Sequence, residues 1–337
     1  MAVTLSDVAR HAGVSLATAS RVLNGSDRTP AAGIAERVKA AAVELGYVAN
    51  AQAQALARAA TRLVGLVVHD IADPYFSTIA RGVQHSAGEK GRQVLLASSD
   101  HGPEAELDAV SAFIAYRTDA IILAGSRSET PDPALTALLA GYIAGGGRVV
   151  TLGATDVPGA QHLDLANEAG AFELASALIA RGSTRFAILA GPGTLTTARQ
   201  RAAGFARALG AAQLAPLAVV EGPFTREGGY DAALQCRALL EGAPGAGEAP
   251  LCLLAANDVM ALGAMTAMRG LGLRVPEDVQ IAGFDDIPTL RDHSPALTTY
   301  RLPLEQIGHL AAELALAGTA EGPVHVAGEV VLRESAG

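Results

Sequence analysis

What the chain has little of narrows it first. Its two cysteines, Cys236 and Cys252, lie far apart without CxxC or metal-ligand spacing. They read as small buried hydrophobes in a reducing compartment rather than as a disulfide framework. Half of the residues are apolar, yet no apolar run approaches the roughly 20 residues that a membrane span needs. The opening Met1-Ala-Val-Thr-Leu-Ser-Asp7 has no basic region followed by a long apolar stretch. No secretory signal is visible, and a cytoplasmic location is expected. Catalytic signatures are missing as well. There is no Walker-type loop, HExxH or GxSxG, and Gly145-Gly-Gly147 lacks GxGxxG spacing. The eight histidines show no metal-ligand spacing. No cofactor, metal or catalytic set is expected.

What is there begins at the N-terminus, where Val3–Gly25 reads as two short helices broken by a turn at Gly13. Thr4 and Asp7 have capping-box spacing, and Leu5, Val8 and Ala9 share one face of the first helix. Ser15 can cap the second helix, with Ala19, Val22 and Leu23 inward and Asn24-Gly25 ending it. Leu16, Ala17, Ser20 and Arg21 then face outward near its N-terminal half, the part of a helix-turn-helix that meets base edges in the major groove. A third helix fits between Pro30 and Gly46, with Ile34, Val38, Ala41 and Leu45 closing a small core. Residues 47–61 read as an Ala-rich connection. Asn50 can cap a helix of about two turns there, shorter than an isolated helix tolerates in water. By pattern alone, Leu56 rests on a neighbour in a solvated linker.

A net charge of −9 looks wrong for a DNA reader until it is divided: residues 1–60 carry +2, and the remainder −11. An acidic body limits non-specific adhesion to nucleic acid, while the head keeps the basic contacts. From Arg62 onward, apolar runs at 63–68, 94–97, 120–124 and 149–152 alternate with helical segments starting near Tyr75, Pro103 and Pro131. The pattern restarts with runs at 186–190, 217–220, 251–255 and 279–284. Helices near 167–180, 197–209, 225–240 and 258–271 lie between them. Two doubly wound parallel sheets, and so two lobes with a cleft, are expected. Ligands of such sheets bind beyond the carboxyl ends of the strands. Those ends carry His69-Asp70, Asp73, Tyr75-Phe76, Ser126-Arg127, Arg201, Phe224, Asn257-Asp258 and Asp285-Asp286. Polar groups flanked by rings suit a small polyol, although each residue alone could be structural.

The chain closely resembles the lactose/galactose repressor family of bacterial transcription regulators. The resemblance runs through Leu5-Ser-Asp-Val-Ala-Arg-His-Ala-Gly-Val-Ser15, Ser20-Arg-Val-Leu-Asn-Gly25, Glu44-Leu-Gly-Tyr47 and Asp73-Pro-Tyr-Phe76. It continues in Arg201-Ala-Ala-Gly-Phe205, Ala256-Asn-Asp-Val-Met-Ala-Leu-Gly263, Val275–Asp286 and Pro295-Ala-Leu-Thr-Thr299. It implies a homodimer reading a pseudo-palindromic operator. On the DNA side it nominates Thr4, Ser15, Leu16, Ala17, Thr18, Ser20, Arg21, Asn24, Asn50, Ala53 and Leu56. Leu16, Ala17 and Arg21 would face bases and Ser15 phosphate. Leu56 would wedge into the minor groove from a hinge helix.

For the body the resemblance implies a periplasmic-binding-protein-like fold behind an all-α head. A sugar-like effector would meet Asp73, Tyr75, Phe76, Ser126, Arg201, Phe224, Asn257 and Asp285. The implied division is a head at 1–46 and a hinge at 47–61. One lobe would hold 62–161 with about 300–328, the other 162–299 with about 329–337. Crossings are thus expected near 161, 290–300 and 329. Ala49, Gln54, Asp73 and Ala166 stand where the family usually has Pro, Arg, Asn and Asp. The sequence ends at Gly337 without a leucine heptad, from which a dimer rather than a tail-joined tetramer is expected. A sugar-binding receptor of the same body fold, or a sugar-modifying enzyme using Asp70 and Asp285, are the other readings.

Overall fold

The computed structural model describes residues 3–24, 32–48, 61–100, 102–126, 128, 130, 132–240, 249–317 and 322–337. The expectations for Asn50, Ala53 and Leu56, for the Asn24 side chain and for Arg127 lie outside these residues. The chain divides into two compact units, Met1–Arg62 and Leu63–Gly337.

In the first unit, α1 (Leu5–His11), α2 (Leu16–Asn24) and α3 (Ala32–Glu44) enclose a core of small side chains. The start of α1 is fixed by the capping box: Thr4 Oγ1 accepts from Asp7 N–H, and the Asp7 carboxylate accepts from Thr4 N–H. Ser15 Oγ accepts from Thr18 N–H at 3.1 Å and starts α2. Gly46 closes α3 with positive φ, and Tyr47 N–H donates back to Ala42 O at 2.8 Å. Val8, Ala9, Ala19, Val38 and Ala41 are buried, with Leu5, Val22, Leu23, Ile34 and Leu45 packed against them. Residues at helical spacing thus lie inward, as the pattern requires.

The second unit holds two six-stranded sheets. The first contains β1 (Leu63–Val68), β2 (Gln93–Ser98), β3 (Ala120–Leu123), β4 (Arg148–Leu152), β5 (Gln161–Leu165) and β11 (Val324–Val326), in the order β11-β5-β4-β3-β1-β2. All its pairings are parallel. The second contains β6 (Arg185–Ala190), β7 (Ala218–Glu221), β8 (Leu251–Ala255), β9 (Val279–Asp285), β10 (Thr298–Arg301) and β12 (Glu329–Val331), in the order β12-β10-β9-β8-β6-β7. It departs from the all-parallel expectation at one edge, where β10 and β12 run antiparallel. The helices α4 (Pro74–Glu89), α5 (Pro103–Ala115), α6 (Pro133–Ala144), α7 (Asn167–Ala180), α8 (Thr196–Ala211), α9 (Arg226–Gln235), α10 (Asp258–Gly270) and α11 (Leu304–Ala317) connect and cover the strands. Central strands such as β1, β3 and β8 are buried on both faces, hence their unbroken apolar runs.

Four details correct the sequence reading. The first crossing lies four residues later than expected, since β5 still pairs with β4 in the first sheet and the chain leaves it only after Leu165. β5 carries His162 and Asp164 on its less buried face, so it shows no apolar run. The second crossing follows Arg301, because β10 pairs with β9 before α11 returns to pack on α4. The third comes between Val326 and Glu329, close to the expected place. The helix expected near Pro131 starts at Pro133, with Asp132 capping Ala134 N–H. The segment expected as one helix over 225–240 is α9 followed by a short 3-10 turn at Arg237–Leu239.

Candidate functional site

In the first unit, the outward face of α2 is open. Leu16 is 51% exposed, and Ser15, Ala17 and Arg21 are exposed beside it. Thr18 and Ser20 are half-buried. Arg10 pairs with Asp7 and Lys39 with Glu36, whereas Arg21 has no ion pair among the described residues. The first turn of α2 contains no acid. Its positive dipole end, the Ser15 hydroxyl and a free guanidinium can therefore meet a phosphate backbone and a base edge together. Thr4, exposed at the start of α1, is bonded within its capping box, as Ser15 is to Thr18 at the start of α2.

In the second unit, a cleft of about 780 Å³, part of it continuous with solvent, opens where the carboxyl ends of both sheets meet. Its second-lobe wall is built around Arg201 on α8 and Asp285 at the end of β9. Arg201 Nη2 donates to Asp285 Oδ1 at 2.8 Å, and Nη1 donates to Oδ2 at 3.3 Å. Nη1 also donates to Ala256 O at 2.8 Å, and Nε donates to Asn167 Oδ1 at 2.9 Å. The guanidinium lies 4.0 Å from the centre of the Phe284 ring. Asn167, the first residue of α7, is held in turn by Gln200, whose Oε1 accepts from Asn167 Nδ2 at 3.2 Å. Arg201 is 2% and Asp285 3% exposed, so this is a buried pair whose remaining lone pairs and protons must be met inside the protein.

Asp285 has φ +115 and Asp286 φ +56, a backbone that an L residue rarely adopts and that surrounding structure must hold. The hold is visible. Asp286 receives Arg301 Nε and Arg333 Nη1, both at 2.7 Å, so the turn is pinned from β10 and from the chain beyond β12. Burial pushes the Asp285 carboxyl above its ordinary range; Arg201 pulls the other way, and Asp73 adds to the rise. Asn257 caps α10, its Oδ1 accepting from Met260 N–H at 2.9 Å, which leaves its amide nitrogen and a second Oδ1 lone pair to serve a ligand. Asp258, next in sequence, is turned away from the cleft. It accepts from Ile287 N–H at 2.9 Å and from the Thr299 hydroxyl at 2.7 Å, and burial raises its carboxyl well above the usual range.

The first-lobe wall is different in kind. Asp73 caps α4 through Tyr75 N–H at 2.9 Å, and burial raises its carboxyl, with Asp70 adding to the rise. The Tyr75 and Phe76 rings meet edge to face with centroids 4.9 Å apart, and His69 meets Phe76 likewise at 5.6 Å. Burial raises the Tyr75 phenol above its ordinary range. Gly125 lets the His69 imidazole lie against the backbone, since a Cβ there would come within 2.5 Å of the ring. Gly191 does the same for Phe224, at 2.0 Å. Across the cleft, Thr197 N–H reaches Ser126 Oγ at 3.4 Å, and Ser128 bridges Leu195.

The chain matches the model of bacterial regulatory proteins of the lacI family over residues 4–50. It matches that of periplasmic binding protein-like domains over 175–336. It is 35% identical to the transcriptional regulator GalR of Salmonella typhimurium over 320 residues, covering 93% of this chain and 89% of GalR. The chain belongs to the lacI family. Among solved structures, it is similar to the lac repressor dimer bound to operator and the anti-inducer ONPF, with TM-score 0.85 and 30% identity, covering 100% of this chain and 99% of that one. It is also similar to a complex of the transcriptional regulator CelR with cellobiose, with TM-score 0.69 and 30% identity, covering 99% of each.

This lacI-family chain is thus a DNA-binding transcriptional regulator with a helix-turn-helix head and a two-lobed body. Among the described residues no helix is long and apolar enough to cross a membrane, and no group of side chains is arranged to hold a metal. The eight residues that the resemblance nominated for an effector, Asp73, Tyr75, Phe76, Ser126, Arg201, Phe224, Asn257 and Asp285, line the same cleft, whereas Asp70, Asp258 and Asp286 from the strand ends do not. Phe76 is also part of the core at 7% exposure, so little of its ring is open to a ligand. Asp70, which an enzymatic reading pairs with Asp285, does not line the cleft; it accepts from Ala72 N–H at 2.8 Å in its own turn. Sequence reasoning missed Asn167 and Gln200. Asn167 follows the unrecognised strand β5, and Gln200 precedes Arg201 on α8.

Proposed function

We propose that the protein is a repressor that binds a pseudo-palindromic operator as a homodimer and is controlled by a small polyhydroxylated effector in the cleft. The observation that carries this reading is the buried Arg201–Asp285–Asn167 network, flanked by Tyr75 and Phe224, in a chain whose other unit presents an open recognition helix. Asp285 and Asn257 meet hydroxyls, and the rings cover apolar sugar faces. The names of the relatives agree: one is an operator-bound dimer and the other a cellobiose complex.

In this reading residues 1–46 are the head, with Leu16, Ala17 and Arg21 at bases and Ser15 at phosphate. Residues 47–61 are the hinge, whose Leu56 enters the minor groove. Leu16 and Ala17 contribute apolar contact with thymine methyls, so hydrogen-bonded base reading falls to Arg21. Half-site spacing and the Leu56 kink supply the rest of the specificity. A second copy is supported by apolar side chains on both sheet edges: Leu96 on β2 is 43% and Val219 on β7 55% exposed. The effector shifts operator affinity only as far as it binds the two states of the body unequally.

Selection of bound fragments from a genomic DNA pool, with and without sugars, tests this reading. Recovery of two inverted half-sites whose binding responds to a sugar is the expected result. No sequence preference under any condition refutes it. Leu56→Ala should weaken operator binding and leave effector binding intact; equal loss of both counts against the minor-groove role.

A further inference from the structure

The charge balance of the cleft bears on what can enter it. The described lining residues include three carboxylates, Asp73, Asp164 and Asp285, and a single guanidinium, Arg201. That guanidinium is nearly spent. Nε serves Asn167, Nη1 serves Ala256 O and Asp285, and Nη2 serves Asp285, so four of its five N–H groups are committed. Two helix N-termini at the cleft are closed to an anion as well. On α4, Pro74 has no N–H and Tyr75 N–H is taken by Asp73; on α10, Met260 N–H is taken by Asn257 and Asp258 sits in the first turn. The start of α8 is the exception, with no side-chain cap and no acid in its first turn. Its Thr197 N–H already reaches Ser126, and a helix end carries about half a charge against whole carboxylates.

Of the three acids, Asp285 has its cation and Asp164 has His325 Nδ1 at 2.8 Å on the rim. Asp73 is the carboxylate without an ion pair among the described residues. One of its oxygens caps α4, and the other is left to accept. We propose that the cleft admits polyhydroxylated ligands that are neutral or carry an amine and rejects those bearing a phosphate or carboxylate, with Asp73 the residue that sets this discrimination. The inference rests on the reading of the cleft as an effector site. A ligand hydroxyl or ammonium group donates to the open Asp73 oxygen. A ligand anion would face a desolvated like charge, with no uncommitted guanidinium or ammonium among the described lining residues to receive it; Arg226, which also acts on Asp73, is not one of them. Burial raises the Asp73 carboxyl even against the pull of Arg201 and Arg226, as befits a group taken out of water without a direct cationic partner.

The test uses the full chain and its Asp73→Asn variant. Asn caps a helix as well as Asp does, so the start of α4 survives the change. Thermal shift followed by calorimetry is run on free hexoses, pentoses and disaccharides, their 2-amino-2-deoxy forms and their 6-phosphates. The expected result is that free or aminated sugars stabilise the wild type and that each matched phosphate binds at least about tenfold more weakly, a like-charge penalty of at least 1.4 kcal/mol. In Asp73→Asn that gap should narrow by at least about threefold, through gain by the phosphate or loss by the amine. Equal or tighter binding of the phosphate to the wild type overturns the proposal and leaves the effector reading standing. So does an unchanged gap in the variant. Failure of every sugar form to bind overturns the effector reading itself, and the discrimination with it.

Discussion

The two walls of the cleft are built on opposite principles. The second-lobe wall is a closed circuit. Arg201 is held by Asn167, Ala256 and Asp285, Asn167 by Gln200, and the Asp286 beside Asp285 by Arg301 and Arg333. The first-lobe wall is a set of single contacts: a helix cap at Asp73, edge-to-face rings at His69, Tyr75 and Phe76, and one long hydrogen bond at Ser126. A circuit in a low-dielectric site fixes geometry in advance but leaves few groups for a ligand. The looser wall has those groups. In the effector reading proposed above, the second lobe orients the ligand and the first selects it.

The largest effect expected from this division is at Asp285. Asp285→Ala leaves Arg201 buried without its carboxylate, and removing one member of a buried pair costs about 3–5 kcal/mol. Urea unfolding of the whole chain should show that loss together with loss of effector binding. A cost below about 1 kcal/mol would mean that Asn167 and Ala256 satisfy the guanidinium alone, and the circuit would be no circuit. Asn167→Ala comes next. It strands the Arg201 Nε–H and the Gln200 carbonyl, for which about 1–3 kcal/mol is expected. A double cycle of Asn167→Ala with Asp285→Ala should be non-additive by at least about 0.5 kcal/mol if the residues act as one network. Additivity would break the comparison from the second-lobe side.

The same division explains what was legible in the sequence. Strand ends mark a cleft because an open parallel sheet places them there, so Asp73, Ser126, Asn257 and Asp285 could be found from apolar runs alone. The head was legible for a similar reason: the small core of Val8, Ala9, Ala19 and Val38 needs helical spacing and nothing else. The circuit was not legible. Asn167 enters it from a helix that follows β5, a strand with polar residues on one face, and Arg301 and Arg333 reach Asp286 from opposite sides of two crossings. Those partners are 15 and 47 residues away in sequence and share no periodicity with Asp286. Local pattern shows where a wall stands; long-range pairing decides what it is bound to.

On the first-lobe side the pH dependence of Asp73 offers a smaller and more specific measurement. Its carboxyl is raised above 3.8, first by burial and then by Asp70, against the pull of its own helix cap, of Arg201 and of Arg226. Below pH 3.8 both folded and unfolded chains hold the proton, and the group costs nothing. As pH climbs through the raised folded value, the folded state must carry a desolvated charge, and stability is lost. Asp73→Asn should therefore match the wild type near pH 4 and exceed it by pH 8, by urea unfolding of both across that range. A constant gap, or one that opens toward acid, would mean that Asp73 is well paired after all, and selection would have to move to another residue.

Ser126→Ala should give the smallest effect, and its smallness is what makes it informative. The hydroxyl accepts Thr197 N–H at 3.4 Å, near the limit of a hydrogen bond, on a wall where nothing else depends on it. The neighbouring Ser128–Leu195 bridge keeps the two lobes in contact on that side without it. Substitution should change unfolding free energy by no more than about 0.5 kcal/mol, the range of positions outside a network. Ligand affinity should fall by only about threefold, through loss of one polar group at the cleft. If Ser126→Ala instead costs as much as Asn167→Ala, the Thr197 contact is coupled to Arg201 one turn further along α8. Both walls would then belong to a single network, and assigning orientation to one lobe and selection to the other would fail.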